Sequence, residues 1–542
     1  MRYMQADLSE RSDNSGIGRI RLTIDGREVA VSEGTTLLGA AEALGIHIPN
    51  LCYLEGCEAF TSCMLCVVHD LETGRLVPSC SMPAAEGMAI QTDDELVGAA
   101  RKDTLDLLLS EHVGDCEAPC QRGCPAHMDI PLMIRQIQAQ RLDEAIATVK
   151  RDIALPAALG RICAAPCENV CHRQSHDQAV SVCLLKRFAA DADLAKDDPY
   201  APELQQASGK QVAIVGGGPT GLAAAYYLLQ KGHAVHIYDP HPLLGGLLRY
   251  GVPDEILSKS VLDAEIAQIQ ALGLEFHPGV ALGREIAFEA LQRMHDAVVL
   301  ALGVSDPDSL EISGLDQTPR GIVIQQGTYE TSLAGVFAGG NAISESRRAI
   351  RALAHGKEIA SSVDQFLNGL PVVGEPGRFA SRIGKLLEGE GAELLQIGGA
   401  GGRISPVGGG ESGFDSAESV GESSRCLRCD CQHLEGCKLR LYADEYQADQ
   451  TRFKMGERKK IQKLFRHGGR VLYEPGKCIK CGLCVQVAQR EGEELGLSFV
   501  GRGFDVRVAV PFDGSFDDGL KKAARACIEA CPTSALIWGE EI

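Results

Sequence analysis

The sequence is poor in aromatic residues and positive charge, and it contains no long apolar run. Aromatic residues make up 5% of the chain, with one Trp, so no surface for stacking nucleic-acid bases is indicated. Acidic residues outnumber basic ones by 73 to 53, which disfavours binding to nucleic acids or anionic membranes. No stretch of about 18 apolar residues occurs, and the first 19 residues lack a signal-peptide core. We therefore expect a cytoplasmic protein without membrane insertion.

Cysteine is abundant but unevenly distributed. All 21 Cys lie within 52–80, 116–183, 426–437 and 478–531, and none lies between Cys183 and Cys426. A chain of 542 residues is too long for a disulfide-rich secreted scaffold. Closely spaced CxxC pairs instead indicate metal ligation, and repeated CxxCxxC spacing favours iron–sulfur clusters over zinc.

Residues 18–95 open with two alternating runs around Asp25-Gly26, a strong hairpin signal. A helix-like stretch follows, with Thr35 or Thr36 as a candidate cap. The next cysteines, embedded in IPNLCY and SCSMPAAEGM, resemble those of the N-terminal [2Fe-2S] domain of the complex I large iron–sulfur subunit and of iron-only hydrogenases. That resemblance implies a β-grasp ferredoxin domain; zinc or unligated thiols are the alternatives, and Cys57 lies outside the pattern. The implied cluster ligands are Cys52, Cys63, Cys66 and Cys80.

Residues 96–205 contain two three-Cys runs separated by a helical stretch. The motifs CP-x₄-IP and GRIC-x₂-PCE resemble the N-terminal domain of the glutamate synthase small subunit and the matching part of dihydropyrimidine dehydrogenase. The resemblance implies a helical domain with two [4Fe-4S] clusters. One cluster would use Cys116, Cys120 and Cys171, and the other Cys124, Cys163 and Cys167.

Each of these two clusters lacks a fourth ligand, because the CxxC with which the family opens this region is absent. His112 resembles the His ligand of complex I and hydrogenase clusters; a solvated or supporting role is the alternative. Cys183 lies near a position where some relatives supply a Gln ligand; an ordinary buried thiol is the alternative.

Residues 206–370 predict a Rossmann-like dinucleotide-binding domain. QVAIVGGGPTGLAAAYYLLQKGHAVHIYD reads as strand, Gly-rich turn, helix and strand. In its GxGxxG motif, Gly216 permits the tight turn, Gly218 the approach of a diphosphate, and Gly221 the packing of helix on sheet. Asp239, about 20 residues on, is placed to bind a ribose hydroxyl.

The next segment, LGGLLRYGVPDEILSKSVLDAEI, resembles the flavin-contacting segment of glutamate synthase small subunits. TSLAGVFAGGNAI resembles the second FAD motif of that family, with Asn341 where the family has Asp. The resemblance implies FAD as the ligand. Beside the first motif, it implies contacts from Gly246, Leu247, Arg249, Gly340 and Asn341.

The family inserts an NAD(P)H domain between its two FAD strands, and only residues 304–334 stand there in this chain. These 31 residues carry no Gly-rich motif and are too few for several βα units. We therefore expect the chain to have lost direct NAD(P)H binding; nicotinamide binding at another surface is the alternative.

Residues 371–424, rich in Gly, Ser and Glu, predict a flexible linker or a surface-draped segment. The segment 425–470 places four thiols within twelve residues, which is enough for one metal centre, either [4Fe-4S] or structural zinc. These thiols are Cys426, Cys429, Cys431 and Cys437.

Residues 471–542 predict a ferredoxin-like domain that retains one of two clusters. The pairing rule of double-cluster ferredoxins assigns the last Cys of one run to the cluster of the other. The second set is incomplete, and Cys527 is expected to be a buried orphan. The complete [4Fe-4S] set is Cys478, Cys481, Cys484 and Cys531.

Together these modules predict a multidomain α/β and α+β oxidoreductase with FAD, one [2Fe-2S] cluster and three to four [4Fe-4S] clusters. The leading hypothesis is an electron-transfer subunit of a larger complex. Its partner would be a formate dehydrogenase-like, hydrogenase or NAD(P)H-oxidising subunit, or a ferredoxin. The alternatives are a self-sufficient NAD(P)H-dependent oxidoreductase and an assembly protein with merely structural metals. No separate catalytic side chain is identified.

Overall fold

The structure is a computed structural model that describes residues 18–303, 312–346, 348–395, 398–399, 401–410, 412–464 and 469–539. These residues divide into two compact units. Unit 1 draws its residues from Met1–Gly114, Phe379–Ile383 and Cys431–Ile542, and unit 2 from Asp115–Arg378 and Gly384–Asp430. Unit 1 is thus built from both ends of the chain.

Unit 1 contains a mixed sheet, two small two-stranded sheets and several helices. Its N-terminal elements are β1 (Arg19–Ile24), β2 (Arg27–Ser32), α1 (Leu37–Ala43), β3 (Val67–Asp70), β4 (Arg75–Pro78), β5 (Ala89–Gln91) and α2 (Glu95–Ser110). Its C-terminal elements are α16 (Lys438–Glu445), β13 (Val471–Tyr473), α17 (Leu483–Arg490), β14 (Ser498–Val500), β15 (Arg507–Ala509), α18 (Phe516–Gly519), α19 (Ala524–Ala530) and β16 (Leu536–Trp538).

Unit 2 begins with six helices and continues as a parallel α/β domain. The first helices are α3 (Pro119–Gly123), α4 (Ile130–Gln138), α5 (Leu142–Asp152), α6 (Pro156–Ile162), α7 (Pro166–Asn169) and α8 (Val182–Leu194). The rest are β6 (Gln211–Val215), α9 (Pro219–Gln230), β7 (Ala234–Asp239), α10 (Leu247–Tyr250), α11 (Lys259–Ala271), β8 (Glu275–Pro278), α12 (Phe288–Met294), β9 (Ala297–Leu300), β10 (Gln317–Thr318), β11 (Gly321–Ile322), β12 (Val336–Ala338), α13 (Ala349–Leu367), α14 (Glu390–Leu395) and α15 (Ser416–Ser423).

The N-terminal sheet has the order β2-β1-β5-β3-β4. The predicted hairpin is confirmed: β1 pairs antiparallel with β2, and Asp25 and Gly26 both have positive φ, as a tight two-residue turn requires. Thr36 caps α1 by accepting a hydrogen bond from the Gly39 N–H. The parallel pairing of β1 with β5 closes the sheet over a core that includes Leu22 and Ile90.

The sheet of unit 2 has the order β12-β9-β6-β7-β8, and all its described pairings are parallel. The predicted Rossmann-like domain is therefore present. Strands β6 and β9 are almost wholly buried, as parallel strands covered on both faces must be. Helices α9 and α13 lie against each other, and Gly356 permits the approach, since a Cβ there would stand 2.4 Å from the Thr220 carbonyl oxygen.

The segment predicted as a flexible linker or a surface-draped segment is packed and hydrogen-bonded in its described residues around α15. Helix α15 begins with a capping box between Asp415 and Glu418. Glu422 is fully buried and accepts hydrogen bonds from the backbone N–H groups of Ser181 and Ile404, both at 2.8 Å. Close packing accounts for some of its glycines only: a Cβ on Gly421 would stand 2.7 Å from Ile404, whereas one on Gly402 would meet nothing within 4 Å.

None of the helices in the described part of the chain combines the length and the apolar character needed to cross a bilayer.

Candidate redox centre

The four thiols predicted for the [2Fe-2S] cluster lie together in unit 1. Cys52 is in hydrogen-bond contact with Cys63, and Cys66 with Cys80, while the charge of Cys52 acts on Cys66. All four are buried. These contacts lower the pKa of Cys52 to about 6 and that of Cys66 to about 7. The same hydrogen bonds and burial raise the pKa of Cys63 and of Cys80 well above the ordinary value. One thiol of each pair is thus favoured as the thiolate, which is the form that ligates iron.

A second set of thiols lies in the helical part of unit 2. Cys183, at the start of α8, is in hydrogen-bond contact with Cys163 and Cys167, and the charge of Cys163 acts on Cys124. The predicted trio therefore meets Cys183, as the sequence hypothesis requires of a fourth ligand. This set, called the α8 thiol set below, is Cys124, Cys163, Cys167 and Cys183.

A buried cation faces the α8 thiol set. Burial lowers the pKa of Lys186, but the charges of the four thiols raise it above its ordinary value. Lys186 is 3% exposed and lies one turn after Cys183 on α8. Its positive charge would therefore stabilise additional negative charge on a bound cluster.

Replacing Lys186 by Met should lower the reduction potential of the cluster in the α8 thiol set by tens of millivolts or more, because the reduced cluster loses a nearby positive charge. Potentiometric titration followed by electron paramagnetic resonance measures the shift. Lys150→Met is the matched control, since Lys150 is also buried but faces Glu265 and Asp193. Equal shifts in both variants would contradict the assignment.

A third set of thiols combines residues distant in sequence. The charges of Cys426, Cys171 and Cys429 all act on Cys120. Burial raises the pKa of Cys426 to about 11, so these thiolates need a cationic centre to persist. The set, called the CxxC-completed set, is Cys120, Cys171, Cys426 and Cys429.

A buried arginine holds the two parts of the CxxC-completed set together. Arg173, two residues after Cys171, donates to the carbonyl of Arg425, which directly precedes Cys426, at 2.5 Å. The same guanidinium donates to the carbonyls of Gly399 and Gly401. The packed segment before Cys426 therefore places the CxxC pair Cys426 and Cys429 beside the helical part of unit 2.

The residues that follow Cys426 are also held in place, by side chains of α4. Arg135 of α4 forms an ion pair with Asp430 at 2.8 Å, and Arg428 donates to the side chain of Gln138 at 3.1 Å. Asp430 is buried and the Arg135 side chain is 13% exposed, so removing one partner leaves a poorly solvated charge. Residues 428 and 430 are thus held against the last turn of α4.

This grouping differs from the sequence prediction for 426–437. Cys426 and Cys429 belong to unit 2, whereas Cys431 and Cys437 belong to unit 1. The prediction of one four-thiol centre rested on proximity in sequence, and the chain passes from one unit to the other between Asp430 and Cys431. The predicted grouping of Cys116 with Cys120 and Cys171 also differs, since Cys426 and Cys429 accompany those two thiols.

His112 and the last two thiols of 426–437 lie in unit 1. His112 is partly exposed, but its Nδ1 is buried and has no hydrogen-bond partner among the described residues, and desolvation lowers the pKa of the imidazole to about 4. It faces Lys477, whose ammonium is in hydrogen-bond contact with Cys431. A neutral imidazole with a buried, unpartnered nitrogen is a suitable metal ligand. Cys437 is buried beside the carbonyl of Pro532, and Cys116 is buried four residues after His112.

The predicted C-terminal set is brought together around α17. The charges of Cys481, Cys531 and Cys478 act on Cys484, and all four thiols line one small cavity. Cys527 is wholly buried, as expected for an orphan, and its thiol donates to the carbonyl of Cys484. The four thiols are Cys478, Cys481, Cys484 and Cys531.

The dinucleotide pocket of unit 2 is a cavity of about 610 Å³ at the carboxyl ends of β6, β7 and β9. Gly216 has φ +110°, and a Cβ there would stand 2.3 Å from the Ala301 carbonyl oxygen. A Cβ on Gly221 would stand 2.0 Å from the Gly216 carbonyl oxygen. Both glycines are therefore sterically required, and Gly218 caps α9, whose N-terminus faces the pocket.

Asp239 lines the pocket at the end of β7. Its Oδ2 accepts a hydrogen bond from the Gly217 N–H at 2.6 Å, and its Oδ1 accepts one from the His241 N–H at 2.8 Å. Oδ1 also lies 2.8 Å from His241 Nδ1, whereas Oδ2 has a single contact and retains further acceptor capacity, so a ribose hydroxyl can still be bound there. The two backbone contacts fix the carboxylate toward the cavity.

The second predicted motif also reaches the pocket. Asn341 lines it, and its Oδ1 accepts a hydrogen bond from the Ser346 N–H at 3.0 Å. Gly340 lies behind it, where a Cβ would stand 2.3 Å from Thr220 Oγ1. Because Thr220 is in the first turn of α9, Gly340 allows the two motifs to approach each other.

Arg249 is placed differently from the expectation. Gly246 and Leu247 line the pocket, but Arg249 is not among the lining residues. Its guanidinium donates to the Leu244 carbonyl and pairs with Asp263 on α11. The motif resemblance identified the segment correctly, but a short helix directs successive side chains to different sides.

Sequence reasoning missed several lining residues. His241 and Tyr250 stack with ring centroids 4.5 Å apart, and Thr220 and Arg348 also line the pocket. Only Thr220 carried a usable signal, through its position inside the Gly-rich motif. Arg348 brings positive charge to the cavity from the loop before α13.

The pocket and the α8 thiol set are adjacent. Ile162, the last residue of α6, lines the dinucleotide pocket, and Cys163 follows it directly. A residue of the pocket wall and a thiol of the set are therefore neighbours in the chain. This juxtaposition is what a direct electron path between a bound dinucleotide and a cluster requires.

Three family models match parts of the chain. Residues 18–95 match the 2Fe-2S iron–sulfur cluster binding domain, and residues 110–198 match dihydropyrimidine dehydrogenase domain II, 4Fe-4S cluster. Residues 214–264 match the NAD(P)-binding Rossmann-like domain. The chain contains a 2Fe-2S, a 4Fe-4S and a dinucleotide-binding domain. These three predicted domain types, [2Fe-2S], [4Fe-4S] and Rossmann-like, are thereby confirmed.

Similar proteins are oxidoreductase subunits. The NADP(+)-dependent formate dehydrogenase subunit beta of Moorella thermoacetica is 35% identical over 38% of this chain and 32% of its own length. The NADPH-Fe(3+) oxidoreductase subunit beta of Geobacter sulfurreducens is 36% identical over 38% and 31%. The glutamate synthase [NADPH] small chain of Mycobacterium tuberculosis is 36% identical over 37% and 41%. The predicted resemblance to the glutamate synthase small subunit is confirmed.

The chain thus spans about a third of the length of the first two relatives and two fifths of the third. Among solved structures, an NAD+-reducing [NiFe]-hydrogenase in the H2-reduced state is 32% identical over 20% of this chain and 42% of that chain, with a TM-score of 0.17.

Proposed function

We propose that this chain is an iron–sulfur flavoprotein subunit of a larger oxidoreductase. It passes electrons between FAD in the dinucleotide pocket, its iron–sulfur clusters and a partner catalytic subunit. The observation that carries this proposal is the adjacency of pocket and thiols through Ile162 and Cys163. A bound flavin exchanges electrons in pairs or singly, whereas iron–sulfur clusters exchange them one at a time.

FAD as the ligand is supported by the extent of the pocket. Its lining includes residues of the Gly-rich motif, such as Gly218, and residues of the second motif, such as Asn341. Asp239 would accept a hydrogen bond from a ribose hydroxyl, the α9 N-terminus would bind the diphosphate, and Asn341 would bind the ribityl chain. Arg348 would add positive charge beside these groups.

The four-thiol sets support one [2Fe-2S] and three [4Fe-4S] clusters, and we propose a fourth [4Fe-4S] cluster for which three ligands are named. Two of the four-iron clusters would occupy the α8 thiol set and the CxxC-completed set in unit 2. A third would occupy the C-terminal set. We assign the fourth to His112, Cys431 and Cys437 in unit 1, on the basis of the buried unpartnered imidazole nitrogen and the Lys477 contact.

The partner we propose is a formate dehydrogenase-like catalytic subunit, with a hydrogenase or an NAD(P)H-oxidising subunit as other candidates. The names of the relatives from Moorella and Geobacter support this proposal, since both are beta subunits of oxidoreductases. Co-purification with the neighbouring subunits of the native complex identifies the partner directly.

A second candidate function is a self-sufficient NAD(P)H-dependent oxidoreductase. The description of the matched domain at 214–264 as NAD(P)-binding favours it. Against it, the described residues 312–334 hold only the hairpin of β10 and β11 in place of a second dinucleotide fold.

An anaerobic titration of the purified chain, reconstituted with clusters and flavin, separates the two functions. NADH and then NADPH are added while flavin and cluster absorbance are followed. We expect no bleaching with either nucleotide and full bleaching with dithionite. Rapid, stoichiometric bleaching by a nicotinamide would overturn the subunit proposal and favour the self-sufficient enzyme.

A further inference from the structure

Two histidines and a glutamate face one another at the open edge of the unit 2 sheet. His236 lies on β7, and Glu275 and His277 lie on β8, the outermost strand. In the parallel register, His236 is opposite Glu275 and Tyr238 is opposite His277. The oxidoreductase function proposed above makes no use of this group, called the edge triad below.

The ligand atoms of the edge triad have the spacing of a tetrahedral metal site. His236 Nδ1 lies 3.3 Å from His277 Nε2 and 3.4 Å from Glu275 Oε2, and His277 Nε2 lies 3.5 Å from Glu275 Oε1. Tetrahedral zinc with bonds of about 2.0–2.1 Å separates its ligand atoms by about 3.3–3.4 Å. Two imidazole nitrogens and the two oxygens of one carboxylate therefore lie close enough together for a single ion to contact all three side chains.

This arrangement differs from the ordinary histidine–carboxylate pairs of the chain. His69 faces Asp94 at 2.7 Å and His233 faces Asp364 at 3.0 Å, each through one nitrogen and one carboxylate. In the edge triad two imidazole nitrogens face each other as well as the carboxylate. At least one of them must be an unprotonated acceptor, which is the form that binds a metal.

Neighbouring rings hold the triad in place. The Tyr238 ring stacks on His277 with centroids 4.5 Å apart and planes within 9°, and the His295 ring meets His236 edge-on at 5.1 Å. His295 is itself engaged, with Nδ1 at the Leu291 carbonyl and Nε2 near the Tyr238 hydroxyl. It therefore supports the site without joining the ligand set. The triad side chains are part-exposed, so an ion can enter.

We propose that His236, Glu275 and His277 bind one divalent cation of the zinc class, with water at the fourth position. Two imidazoles and a carboxylate form a ligand set that zinc accepts in three-residue sites. The ion would join β8 to β7, and β7 ends at Asp239 in the dinucleotide pocket. Its role would be to stabilise this edge of the sheet, and the proposal does not depend on the redox function.

Zinc binding by the cluster-loaded full chain tests the proposal. The protein is treated anaerobically with chelator, equilibrated with Zn²⁺, and analysed for zinc per chain. We expect about one zinc ion per chain in the wild type. His236→Asn and His277→Asn each remove a direct ligand, so their zinc affinity should fall by more than the ~10–100-fold that loss of an outer-shell partner causes. His69→Asn, which alters a simple His–Asp pair, should bind like the wild type. Unchanged affinity in both triad variants would overturn the proposal.

X-ray absorption at the zinc edge distinguishes the triad from zinc misplaced in a cluster site. The triad predicts a shell of nitrogen and oxygen at about 2.0–2.1 Å, whereas thiolates give sulfur at about 2.3 Å. A sulfur-dominated shell would overturn the proposal. Glu275→Gln keeps the test valid if the histidine variants do not fold, because the Glu275 side chain is 61% exposed. Zn²⁺ should raise the melting temperature of the wild type and His69→Asn more than that of Glu275→Gln.

Discussion

Replacing Cys426 by Ser should remove one four-iron cluster from unit 2 and lower the iron content by about four atoms per chain. The reason is that Cys426 and Cys429 lie with Cys120 and Cys171, so a missing thiol leaves a three-ligand site. Cys57→Ser is the matched control, because Cys57 belongs to none of the thiol sets. Iron analysis and Mössbauer spectroscopy of the anaerobically purified variants provide the measurement.

Double variants distinguish the two possible groupings of Cys426. If it shares a cluster with Cys171, then Cys171→Ser combined with Cys426→Ser should lose no more iron than either single variant, because both disable one site. Cys426→Ser combined with Cys437→Ser should lose about twice as much, since two sites are affected. The reverse pattern would restore the single centre at 426–437 and refute the CxxC-completed set.

Replacing Gly221 by Ala should abolish dinucleotide binding, with affinity reduced by about 100-fold or more. The added Cβ would stand 2.0 Å from the Gly216 carbonyl oxygen, so α9 must move away from β6 and its N-terminus can no longer meet a diphosphate. Gly216→Ala should act similarly, since φ +110° disfavours any side chain. Flavin content and fluorescence after reconstitution measure the loss.

Gly98→Ala is the control for this pair, because a Cβ there meets nothing within 4 Å and the position lies within α2. It should retain full flavin and gain slightly in stability. Retained iron in Gly221→Ala would show that the variant folds. Normal flavin content in that folded variant would contradict the assignment of the pocket.

The last residues of unit 2 contribute to one of its two thiol sets. Unit 2 carries the pocket and two thiol sets, and its last residues complete one of those sets. The position of Cys426 depends on Arg173, which donates to the Arg425 carbonyl, and on the buried Glu422, which pairs with Arg425 at 2.7 Å. A segment rich in Gly and Ser therefore has a structural purpose, since it leads Cys426 and Cys429 to the helical part of unit 2.

Local spacing was enough to determine several parts of this protein from sequence. The Asp25-Gly26 hairpin, the Gly-rich turn before α9 and the C-terminal CxxCxxC run are all fixed by residues close together in the chain. Turn geometry, steric limits at glycine and the reach of neighbouring thiols act over a few residues, so each leaves a readable pattern. The domain types inferred from the first two of these patterns agree with the families matched at 18–95 and 214–264.

Tertiary structure alone decided how distant residues combine. The pairing of Cys171 with Cys426 and the convergence of His236 with His277 across two strands have no signature in local spacing. The orientation of Arg249 away from the pocket likewise depends on Asp263 of α11. These outcomes depend on packing and register between elements, whose free energy comes from contacts far apart in the chain, and only the folded structure specifies them.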